Sequence, residues 1–71
     1  MTEQEWKEEF SRRLTRLKYR AGKMTQKQLA EASGISEDAI SRYINCTRIP
    51  SAYNLARLAN ALNCSPNELL P

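Results

Sequence analysis

Gly34 constrains this chain more than any other residue. It stands in "QLAEASGISEDAISRYI", residues 28–44, between two stretches that both read as helix, and it is one of only two glycines. Glycine enters left-handed backbone without a Cβ penalty, so it can stop one helix and turn the chain toward another. Ser36 follows two residues later and is a good N-cap for that next helix. Two short helices joined by a tight glycine-containing turn form a helix-turn-helix. The neighbours meet its steric needs: Ala30 is small where the helices cross, Ile35 plugs the angle, and Ile40 anchors the second helix from beneath.

The rest of the chain also reads as helix. Trp6, Phe10, Leu14, Leu17 and Ala21 recur at spacings of four and three, so one face of a helix over about 3–21 is apolar. Its acids come early and its bases late, as the helix dipole favours, and Gly22 ends it. Thr25-Gln-Lys-Gln28 is a possible capping box opening the second helix, whose short apolar face is Leu29, Ala30 and Ala32. The third helix follows Ser36, turns Ala39, Ile40, Tyr43 and Ile44 inward, and ends near Asn45. Pro50-Ser51 starts a fourth, with Leu55, Leu58, Ala59 and Leu62 on one side and Asn63 at its end. Ser65-Pro-Asn-Glu68 is a second capping box, with proline at the first helical position of a short fifth helix carrying Leu69 and Leu70. Strand alternation is absent. The expectation is an all-α, five-helix bundle, one domain over residues 1–71, with the helix-turn-helix at about 25–45.

Size and charge narrow the function. A chain of 71 residues buries a modest core and gains from outside help such as a disulfide, a metal or a partner chain. There are two cysteines and no histidine. Two thiols do not complete a zinc site, and Cys46 and Cys64 are too far apart for a CxxC pair. No apolar run suits a signal peptide or a membrane span. These points imply no cofactor, no metal, a reducing cytoplasmic setting and self-association. The net charge is +3, but its distribution says more. Residues 11–27 hold Arg12, Arg13, Arg16, Lys18, Arg20, Lys23 and Lys27 and no acid. Such a block attracts polyanions; a solvated helix face is the plain alternative.

"TQKQLAEASGISEDAISRYI" followed by "NCTRIPSAYNLARLANALNCSPNELL" resembles the Cro/repressor (XRE-type) helix-turn-helix family of phage and bacterial regulators. The similarity covers about residues 10–70. It is carried by Gln26, Leu29-Ala30, Gly34, Ser36, Ile40-Ser41, Arg48-x-Pro50-Ser51 and the Leu-Ala-x-Ala-Leu run. The resemblance implies a lambda-repressor-like DNA-binding domain that acts as a homodimer on a two-fold related double-stranded operator. The second helix of the motif then enters the major groove, and the first crosses the phosphate backbone.

Carried onto this sequence, the base-reading positions are Glu37, Asp38, Ser41 and Arg42. An arginine fork takes guanine O6 and N7 together, worth roughly 1–3 kcal/mol of discrimination, so Arg42 is the leading reader. Glu37 and Asp38 accept from cytosine N4, or simply favour the helix start by their charge. The backbone-contact positions are Thr25, Gln26, Lys27, Asn45 and Arg48. Dimer-interface candidates are Tyr53, Leu69 and Leu70; the leucines have the alternative of sealing the core. The dimer is expected to be weak off DNA.

Three departures from the family pattern stand out. Many relatives have glycine where this chain has Cys46, so a left-handed cysteine is expected, at a cost of roughly 1 kcal/mol. Many have an acid where Ile44 stands, so an apolar contact, with Tyr19, is expected instead. Lys23 reads as an extra residue between Gly22 and Met24. Cys64 is expected to pack in the core.

Two functional readings remain. One is a sequence-specific transcriptional regulator, most simply a phage or prophage-type repressor. The alternative is an antitoxin-like protein-interaction module that keeps the fold, favoured by the acidic pair Glu37 and Asp38. An enzyme is disfavoured: neither cysteine has a base beside it in sequence, and the carboxylates sit at helix starts. No catalytic residue and no small-molecule ligand is assigned.

Overall fold

A computed structural model describes all of residues 1–71. It contains five helices: α1 Glu3–Arg20, α2 Gln26–Ser33, α3 Glu37–Ile44, α4 Ala52–Ala61 and α5 Pro66–Leu69. The caps explain the boundaries. Thr2, Thr25, Ser36, Ser51 and Ser65 each precede a helix and accept an amide hydrogen on the side-chain oxygen. Each such cap is worth about 1 kcal/mol. Around Thr25 the box is reciprocal: Gln28 N donates to Thr25 Oγ1 at 3.0 Å, and Thr25 N donates to Gln28 Oε1 at 2.8 Å. Pro66 opens α5 where its missing N–H costs nothing.

The helix ends share one solution. Gly34, Cys46 and Asn63 are left-handed, with φ of 73°, 64° and 55°, and end α2, α3 and α4. Thr47 N reaches Arg42 O and Cys64 N reaches Ala59 O, both at 2.9 Å and both five residues back. This closes the last turn and satisfies orphan carbonyls. The end of α1 differs by one residue. Met24 N reaches six residues back, to Lys18 O at 3.1 Å, and both Gly22 and Lys23 take positive φ. Lys23 is thus accommodated by a second left-handed step.

One hydrophobic core joins the helices. Phe10, Leu14 and Leu17 of α1, Leu29, Ile35, Ala39, Ile40 and Tyr43 of the helix-turn-helix, and Leu58, Ala59, Leu62 and Leu69 beyond it are buried together. Phe10 stacks on half-buried Trp6 at 5.3 Å between centroids and meets Tyr43 edge-on at 6.0 Å. Cys64 packs half-buried against this core, and burial pushes its thiol pKa up.

Four side chains sit differently from the sequence expectation. In α2 the inward position falls to buried Ser33, not to exposed Ala32, because Ser33 is four residues after Leu29. Ala21 lies past the last turn of α1 and is exposed. Tyr19 stays open under the ammonium of Lys23, 5.5 Å from its ring. Ile44 makes an apolar contact as expected, half-buried against the core, but exposed Tyr19 is not its partner; its backbone carbonyl accepts from Ser11 Oγ at 2.6 Å.

Candidate nucleic-acid interface

The α3 helix has one face committed to the core and one left to solvent. Ala39, Ile40 and Tyr43 are buried, which turns Glu37, Asp38 and Arg42 outward, all three exposed. Ser41 lies half-buried at the edge of that face, and Asn45 Nδ2 donates to its hydroxyl at 3.4 Å. The four residues expected to read bases, with Asn45 beyond them, therefore lie along one side of a single helix.

Three contacts fix this helix from other elements. Tyr43 accepts a hydrogen bond on its phenol oxygen from Asn54 Nδ2 of α4 at 3.1 Å. Ser11 of α1 holds the last carbonyl of α3. Arg57 of α4 reaches the turn before α3, donating from Nε to Ser33 O at 3.0 Å and from Nη2 to Gly34 O at 2.8 Å. Sequence reasoning missed Ser11, Asn54 and Arg57. Each acts across elements, and no local spacing announces such a contact.

On the exposed face, Arg42 Nε donates to Asp38 Oδ2 at 3.0 Å. This i,i+4 pair was open to sequence reasoning. Both side chains are substantially exposed, so the pair is worth about 0.3–0.5 kcal/mol, small enough to yield to a better partner. The two Nη groups of Arg42 make no hydrogen bond within the chain.

The candidate backbone contacts flank this face in sequence and differ in availability. The Thr25 hydroxyl is engaged in the α2 cap. Gln26 is half-buried at the first position of α2, and Lys27 is exposed beside it. Asn45 and Arg48 are exposed in the segment after α3. Neither Lys27 nor Arg48 belongs to an ion pair. The basic block of α1 is partly neutralised within the chain: Arg12 and Arg13 pair with Glu9 at 3.0 and 2.9 Å, and Arg20 pairs with Glu68 at 3.1 Å. Its long-range attraction for a polyanion is correspondingly reduced. No three of the His, Cys, Asp and Glu side chains gather as a metal site, and no helix is long and apolar enough to cross a membrane.

Of the dimer candidates, Tyr53 is 70% exposed and Leu70 39%, whereas Leu69 is fully buried. Leu69 seals the chain's own core under α5, so its side chain offers no surface to a partner.

The helix-turn-helix family model matches residues 16–69. The chain belongs to the Cro/repressor (XRE-type) helix-turn-helix family. It is similar to the restriction-modification controller protein C.AhdI from Aeromonas hydrophila, known from a high-resolution crystal structure. The two share 31% identity with a TM-score of 0.84, over 90% of this chain and 96% of that one. A comparison with curated protein sequences finds no significant match. The chain is thus a DNA-binding transcriptional regulator, and the five-helix fold expected from its sequence is the fold it has.

Proposed function

We propose that this regulator binds double-stranded DNA sequence-specifically, as a homodimer on a two-fold related operator, with α3 in the major groove. The observation that carries the reading is the outer face of α3. Glu37, Asp38, Ser41 and Arg42 line it, and the inner face is locked into the core. Arg42 is the principal reader. Asp38 engages its Nε and leaves the two Nη groups open for guanine O6 and N7. Glu37 and Asp38 suit the N4 amino group of cytosine. Gln26 and Lys27 on one side, and Asn45 and Arg48 on the other, hold the phosphates that set the register; Thr25 contributes mainly as the cap of α2. Tyr53 and Leu70 supply exposed surface for the second copy.

A phage or prophage-type repressor is one form of such a regulator. The similarity to a restriction-modification controller over nearly the whole of both chains supports a controller of that kind instead.

Selection from randomised duplexes at near-physiological salt, with Arg42→Ala beside the parent, tests the reading. The expected product is a symmetric site whose half-site centres lie about one helical turn apart. Arg42→Ala loses preference at one base pair per half-site, roughly 1–3 kcal/mol of discrimination. An absence of enrichment, with binding abolished by modest salt, would instead favour the antitoxin-like alternative, in which the target is another protein.

A further inference from the structure

Arg57 joins three features that otherwise look unrelated. Its guanidinium bonds the Ser33 and Gly34 carbonyls at 3.0 and 2.8 Å, and no backbone amide reaches either oxygen. Its Cζ lies 5.0 Å from the centroid of the Tyr53 ring, one turn earlier on α4. A Cβ on Gly34 would lie 2.2 Å from Arg57 Nη2, so the glycine vacates the space that the arginine fills. Ser36, the cap of α3, follows two residues after Gly34.

We propose that Arg57 is a positioning residue for DNA recognition: by holding the Ser33 and Gly34 carbonyls from α4, it sets the angle at which α3 leaves the turn. This rests on the reading that α3 meets base edges. A helix rises 1.5 Å per residue, so a swing of about 10° about Ser36 carries the start of Arg42 by about 1.5 Å. Hydrogen bonds to a base tolerate only a few tenths of an ångström. The Tyr53 ring beside the guanidinium helps hold it over the turn, and the intrinsically planar fork offers two directed donors rather than one mobile charge.

The test uses the full chain with Arg57→Met and Arg57→Lys, well below their melting temperatures. Residual dipolar couplings report the orientation of α3 relative to α1 in the free protein. Affinities for the selected site and for a scrambled duplex report discrimination. In Arg57→Met the α3 couplings are expected to change while those of α1 hold. The ratio of specific to non-specific affinity then falls roughly tenfold, within the range set by one misread base pair, with scrambled-duplex affinity unchanged. Arg57→Lys, whose ammonium reaches one carbonyl at a time, recovers part of both. Unchanged α3 couplings in Arg57→Met overturn the proposal, as does a parallel fall in specific and non-specific affinity. If Arg57→Met fails to fold, Arg57→Lys decides by the same couplings. A parent that selects no site defeats the DNA-reading function, and the couplings still decide whether Arg57 sets the helix angle.

Discussion

The two helices of the recognition unit end in the same backbone conformation and reach it with different residues. After α2 stands Gly34 at φ 73°; after α3 stands Cys46 at φ 64°. Left-handed backbone alone costs a non-glycine residue about 1 kcal/mol, which a marginal domain can carry. Close approach is another matter. Gly34 lies under Arg57, with no room for a Cβ, whereas the Cys46 side chain is only half-buried, its Sγ 3.8 Å from the Ile44 carbonyl. A Cβ at Gly34 would have to push the tip of Arg57 off the turn, whereas nothing comparable weighs on the Cys46 turn.

Gly34→Ala gives the largest expected effect. The methyl displaces Arg57 and adds the left-handed penalty. The loss is about 2 kcal/mol, combining roughly 1 for the backbone with about 1 for the solvent-exposed Nη2 bond to the Gly34 carbonyl. Urea unfolding measures it. A loss below about 1.5 kcal/mol would mean that only the backbone conformation matters and that the Arg57 contact is dispensable.

Cys46→Gly should act in the opposite direction. It relieves the left-handed strain and displaces nothing, so it stabilises by about 1 kcal/mol, less the greater entropy of the unfolded glycine. For a domain this small that raises the melting temperature by several degrees, about 4–8 °C per kcal/mol. Calorimetry reads the shift directly. A fall in melting temperature would show that the thiol contact to Ile44 O outweighs the strain, and the contrast between the two turns would narrow.

Local order was largely legible, because it is set by neighbours in sequence. Ser36 predicts the start of α3 and Ser65 with Pro66 that of α5, while the left-handed backbone at Cys46 was implied by the family resemblance, in which many relatives carry glycine there. The outer face of α3 was legible for the same reason, since the period of 3.6 turns Glu37, Asp38 and Arg42 away from Ile40 and Tyr43, whereas its proposed role in reading bases came only from the family resemblance. What escaped depends on how helices rotate against one another. Arg57 gripping the turn, Ser11 holding Ile44, and Leu69 turning inward while Leu70 faces out are all settled by packing between distant segments. Whether Gly34 was needed for its φ alone or also for space could not be read without Arg57 in position.

Acid separates the two turns from the seam between α1 and α5, with the smallest expected effect. The Gly34 turn is held by guanidinium-to-carbonyl bonds and the Cys46 turn by backbone bonds, so neither lock contains a carboxylate. The seam between α1 and α5 does. The Ser65 amide and then Arg20 hold the Glu68 carboxyl below its ordinary value of 4.5, and Arg13 and then Arg12 do the same for Glu9. Within α1, the Thr2 amide lowers Glu5 likewise. A carboxyl depressed on folding contributes stability that is complete above its unfolded value. That contribution is lost as pH falls through the lowered folded value. Glu5 and Glu68 are exposed and Glu9 is half-exposed, so water and salt screen all three and the loss is small. Between neutral pH and the region below 4.5, amide-exchange protection, corrected for intrinsic rates, should fall first in α5 and less in residues 34–36 and 45–47. In Glu68→Gln the α5 protection should depend less on pH. Parallel loss in α5 and in both turns would mean that the seam and the recognition unit open as one, and that Gly34 and Cys46 differ in residue but not in what holds them closed.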